Sequence, residues 1–137
     1  MGIVQHASNF GFLAWVCFVP FIFAIQGITS YKKIIKYFFL FGFIYHLVSL
    51  FWLSTNIGTD RISALLSMTA TILYLSTHTM IAGIIWLRIK KFIKINPVII
   101  LAITWTCMEF IASYGILAFP WISIANTQIK YFYLIQT

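Results

Sequence analysis

The chain has 137 residues, 62% of them hydrophobic and only 8% charged, with nine Lys/Arg against two Asp/Glu and a formal net charge of +7. Soluble domains carry about 25% charged residues, so a mean hydropathy of +0.99 excludes a mostly wet surface and leaves lipid as the fitting solvent. The positive balance would suit nucleic acid in a soluble protein, but the positions of the charges exclude that partner: Lys32, Lys33 and Lys36 form one cluster and Arg88, Lys90, Lys91 and Lys94 another, the pattern of short cytoplasmic loops.

A span needs about 20 apolar residues to cross the hydrocarbon core. In chain order the first lies over 10–28, interrupted by Pro20, which predicts a kink or a partly interfacial path. The second covers 34–53 and the third, free of charge, 62–87. The fourth covers 98–119 after Asn96-Pro97, a cap followed by a proline at the first helical position. The segment 120–137 is more polar, and Tyr131, Phe132 and Tyr133 suit an interfacial position at the outer headgroups. Barrel strands would be about ten residues long with polar alternation, which these runs lack. The expected fold is therefore an all-α, polytopic membrane helix bundle of about four transmembrane helices, forming one domain over 1–137. With both basic clusters inside, the N-terminus and everything after Phe119 lie outside. Met1–Asn9 has no positive charge, so it does not read as a secretory signal.

Titratable groups inside spans are the first functional candidates. Glu109 falls about twelve residues into span four, roughly 17 Å along the helix and so near the bilayer centre. His46 in span two and His78 in span three lie at similar depth, as possible polar partners of that carboxyl. Two readings stay open: a hydrogen bond that ties the bundle together, and a substrate or proton path. Cys17 and Cys107 are far apart in apolar stretches and read as small hydrophobes. The single Asp, Asp60, is in a loop, and no G-x-S-x-G, H-E-x-x-H, Walker loop or G-x-G-x-x-G occurs. No catalytic site, metal site or cofactor motif is read from the residues.

The most specific string is Trp105-Thr106-Cys107-Met108-Glu109, followed by Phe119-Pro120-Trp121 and Gln128. With Gly11–Val16 and Val19-Pro20, and with Phe41-Gly42-Phe43 leading to Phe51-Trp52-Leu53, it resembles the membrane part of the bacterial apolipoprotein N-acyltransferase family. The resemblance implies a multi-pass protein of the bacterial cytoplasmic (inner) membrane. It implies a reaction in which a phospholipid acyl chain passes through a cysteine thioester to the N-terminal amine of a lipoprotein. Trp105, Glu109, Phe119, Pro120, Trp121 and Gln128 are then the residues of a family signature or lipid cleft. The family has an arginine three residues after the glutamate, where this chain has Ala112. Its nitrilase-like domain with a Glu–Lys–Cys triad has no counterpart in these residues, so the chain is expected to be an inactive N-terminal fragment. The alternatives are a small four-helix transporter and a structural subunit of a membrane complex.

Overall fold

A computed structural model describes residues 16, 18–55, 58–114, 118–119 and 123–124. Among them the fold is all-α, as the composition required. Helix α1 spans Val19–Gln26, α2 Tyr31–Leu50 with a 3-10 turn over Phe51–Thr55, α3 Arg61–Phe92 and α4 Pro97–Ala112.

Local chemistry sets most of the helix starts. Pro20 lies in the first turn of α1, where its missing N–H costs nothing, so it opens a helix instead of kinking one. Residues 10–15 and 17 of the expected first span lie outside the described residues. Asp60 caps α3 by accepting from the Ser63 amide at 3.0 Å, and Asn96 caps α4 by accepting from the Val98 amide at 2.9 Å. Each satisfies one of the orphan donors of a first turn.

The charged ends differ from expectation. Lys32, Lys33 and Lys36 belong to α2, and Arg88, Lys90 and Lys91 to α3, leaving Lys94 alone in the connection between α3 and α4. Hydropathy drops where lysine begins, but lysine and arginine are good helix formers, so the backbone ladder runs on. Lys90 puts its ammonium 4.8 Å from the Trp86 ring centroid and donates to the carbonyl of Gln26 at the end of α1, an acceptor with no partner in its own helix. Lys91 stacks over Tyr31 at 4.2 Å.

Helix α4 stops at Ala112, short of the expected Phe119. The Ser113 hydroxyl takes the Phe110 carbonyl at 2.7 Å, and the Phe119 amide folds back onto the carbonyl of Ala112 at 2.8 Å. A side chain and a returning strand of chain thus replace the next turn of the ladder. Its 16 residues rise only about 24 Å.

Helices α2 and α3 form the closest pair. A Cβ at Gly42 would overlap Thr79, and one at Gly83 would lie 2.5 Å from the Phe38 ring. Ser76, Thr79 and Gly83 follow at helical spacing on one buried face of α3, the small-residue seam that lets two helices approach in lipid. The Ser76 and Thr79 hydroxyls donate to carbonyls of their own helix, of Ile72 at 2.6 Å and of Ser76 at 2.8 Å. No polar group of either side chain therefore depends on the neighbouring helix. At the α1 end, Phe21, Ile25, Phe38, Trp86, Ile100 and Leu101 join all four helices in one core, and the Trp86 indole donates to the Pro97 carbonyl at 2.9 Å.

The surface is apolar. Leu40, Ile44, Leu66, Leu73, Ile81, Ile103 and Phe110 are exposed. Two segments, Tyr31–Thr55 and Arg61–Phe92, are long and apolar enough to cross a bilayer, and only 39% and 44% of their most apolar windows are buried. The core helix of a soluble protein would hide most of that surface.

Candidate functional site

On α4, Trp105 and Glu109 are four residues apart and share a face. Trp105 is seated edge-on against aromatic rings of two other segments, 4.8 Å from Phe18 and 5.8 Å from Phe41. This packing aims its indole N–H at Glu109 Oε1, 2.9 Å away. The chain beyond α4 returns over the carboxylate, with the Ser123 hydroxyl donating to Oε2 at 2.9 Å and the Ile124 amide to Oε1 at 3.1 Å. Three neutral donors therefore hold one carboxylate, and no cationic side chain pairs with it among the described residues. A carboxylate offers about four lone-pair sites, and these donors take three of them.

Beside Glu109 is a cavity of about 310 Å³, walled by Tyr45, Leu75, His78, Trp105, Ala112 and Phe119 among others. An apolar groove of about 290 Å³ adjoins it between α3 and α4, lined by Ile81, Ile85, Ile103 and Cys107. His78 and Met108 line both.

The histidines do not partner Glu109, contrary to the expectation from depth. His78 Nδ1 lies 3.1 Å from the carbonyl of Tyr74, one turn back on its own helix. Since a carbonyl only accepts, Nδ1 carries the proton, and in the neutral ring Nε2 is an acceptor. His46 is 2% exposed, and neither of its ring nitrogens, nor the hydroxyl of Ser49 one turn on, has a hydrogen-bond partner among the described residues. Equal depth brought His78 to the cavity of Glu109, but helix rotation turned His46 into a buried polar position.

Phe119 packs against Leu50, Ile72 and Leu75 and lines the cavity. Pro120, Trp121 and Gln128, and the rest of the segment expected at the outer interface apart from 123 and 124, lie outside the described residues. Ser123, the Ile124 amide and Tyr45 carry no motif or periodicity, and only the fold brings them to Glu109. Cys107 is exposed. No group of three or more His, Cys, Asp or Glu able to hold a metal occurs among the described residues.

The arrangement can hold a ligand and orient it, but among the described residues it pairs no nucleophile with a base. No curated protein and no solved structure matches the chain. The sequence pattern of the apolipoprotein N-acyltransferase N-terminal domain, in contrast, matches residues 2–137. That match takes in α1 to α4, Glu109 and its cavity, and the chain belongs to the apolipoprotein N-acyltransferase N-terminal domain family.

Proposed function

We propose that this chain is the membrane-embedded portion of an enzyme that moves a phospholipid acyl chain onto the N-terminal amine of a lipoprotein, and that its own work is to anchor and shape a lipid-facing cleft. The observation that carries this reading is the family match over residues 2–137, joined to the Glu109 cavity and its adjoining apolar groove. The groove offers branched aliphatic walls, the environment an acyl chain prefers. Acyl transfer needs a nucleophile, a base and oxyanion donors in one cleft. The described residues do not bring the three together, and we expect residues 1–137 alone to form no thioester with phospholipid. Thioester formation by this purified stretch, dependent on Cys17 or Cys107, would overturn that role.

The protein is a membrane protein, and we place it in the bacterial inner membrane as a multi-pass chain with its N-terminus outside. Lys32 and Lys33 stand at the start of α2, against the helix dipole, so helix stability does not account for them. Contact with cytoplasmic anionic headgroups does. A cysteine placed at Gly58, with Cys17 and Cys107 removed, is expected to react with an impermeant thiol reagent in intact cells, and one placed at Lys94 is not. The reverse pattern would refute the orientation.

A further inference from the structure

The face of α2 that points away from the bundle changes character along its length. Lys33, Lys36, Tyr37, Leu40, Ile44 and Leu47 are all exposed and recur at three- and four-residue intervals, so they form one stripe. Ile34, Phe38 and Gly42 are buried on the opposite side. The stripe starts cationic, with a phenol beside the lysines, and continues aliphatic. From Lys36 to Leu47 the helix rises about 16 Å, roughly half of a hydrocarbon core. The charge at this end is not neutralised by the chain's own acids, of which there are two. Asp60 caps the other end of α3, about 45 Å from Lys90 along the helix. Glu109 is engaged with Trp105 and Ser123. Lys90 and Lys91 are occupied by Trp86, the Gln26 carbonyl and Tyr31, and the Lys91–Tyr31 contact brings the basic end of α3 to the basic start of α2, which raises the local positive charge further.

We infer that this stripe docks one phospholipid with a net negative headgroup: Lys33 and Lys36 hold the phosphate, the Tyr37 hydroxyl donates to it, and an acyl chain lies along Leu40, Ile44 and Leu47. Charge complementarity selects the sign. The aliphatic continuation selects a lipid over a nucleic acid or an acidic peptide, either of which would leave those residues uncovered. A zwitterionic headgroup brings its own ammonium to the lysines and gains less. The inference rests on the reading that the lysines of α2 meet anionic headgroups, and it narrows a diffuse attraction to one site on one helix. None of these residues lines the Glu109 cavity or its adjoining groove, so the docked lipid is separate from that site.

The test is a native mass spectrometry titration of the purified full chain in an uncharged detergent, with phosphatidylglycerol and phosphatidylcholine of identical acyl chains. The first phosphatidylglycerol is expected to bind about tenfold more tightly than the first phosphatidylcholine. The double variant Lys33→Gln/Lys36→Gln should remove most of that preference and leave phosphatidylcholine binding unchanged. Arg88→Gln/Lys94→Gln removes the same charge from exposed positions of α3 and the connection after it, and should change the preference by less than about twofold. Glycerol phosphate, the headgroup without its chains, should not displace the lipid. Equal binding of the two lipids to the unaltered chain would overturn the inference. So would equal losses in the two double variants, which would mean a diffuse field, or displacement by glycerol phosphate, which would mean an anion site without a lipid. A dimer that forms in place of lipid binding and is lost in Leu40→Ser would assign the face to a second copy. Thiol labelling at Gly58 and Lys94 reports the orientation separately. A chain that labels as expected but binds both lipids equally loses this inference alone, and reversed labelling with selective binding refutes only the orientation.

Discussion

The two ends of α4 are built on different physics. At its start, Ile100 and Leu101 enter a core with Phe21, Ile25, Phe38 and Trp86, and the polar atoms there are backbone caps and one indole donating to a carbonyl. At its end, Trp105 and Glu109 face a cavity, and the bonds that close the site come from residues 14 and 15 positions downstream. The first end is held by apolar packing. The second is held by hydrogen bonds to a carboxylate, which an isosteric amide can largely keep. The packed end is suited to fixing the bundle, and the open end to receiving a ligand.

Breaking the packed seam should have the largest effect. Gly42→Ala drives a Cβ into Thr79, a short β-branched side chain with little room to move. A loss of about 2–3 kcal/mol is expected from overpacking, read as a lower unfolding temperature in detergent. Thr79→Gly on the same background should recover most of it. An unchanged melting temperature for Gly42→Ala would show that the helices are not in close contact there.

At the open end the expected losses are smaller. Glu109→Leu orphans the Trp105, Ser123 and Ile124 donors and should cost about 1–2 kcal/mol. Glu109→Gln keeps an oxygen for two of them, and the Ser123 hydroxyl can turn to accept from the amide, so it should melt within about 0.5 kcal/mol of the unaltered chain. If Gln and Leu are equally harmful, the charge matters more than the hydrogen bonds.

His46 has an expected effect of the opposite sign. Its ring is buried and unpartnered among the described residues, so His46→Leu removes a desolvated polar group at similar volume. It should be neutral or stabilise by up to about 1 kcal/mol. A clear destabilisation would reveal a bound group on the histidine.

The smallest effect belongs to the exposed cap of α3. Hydrogen bonds from the Ser63 hydroxyl and amide lower the Asp60 pKa from 3.8. A lowered folded value means that this stabilisation is present above 3.8 and fades as acid protonates the carboxyl. The difference in melting temperature between the unaltered chain and Asp60→Ala should therefore shrink below that pH. A gap that persists in acid would assign the cap to something other than the ionised carboxyl.

Composition alone was enough for the helical class and the apolar exterior, because a bilayer rewards nothing else over such runs. Local chemistry located the start of α4 at Asn96-Pro97, since a cap is decided within a few residues. The end of α4 was not legible, because it depends on Ser113 and on Phe119 returning to Ala112, a competition that hydropathy cannot register. The same holds for Lys32, Lys33, Lys36, Lys90 and Lys91, which read as loop residues but continue the helices. Glu109 could be singled out by its depth in an apolar span, and Trp105 by the string that carries the family resemblance. Their partners could not. Depth along a helix is readable from residue number, but rotation about its axis is set by packing, and the Gly42–Thr79 and Gly83–Phe38 contacts fix how α2 and α3 turn toward each other. That rotation is why His78 reaches the Glu109 cavity and His46 does not, and only the assembled bundle could decide it.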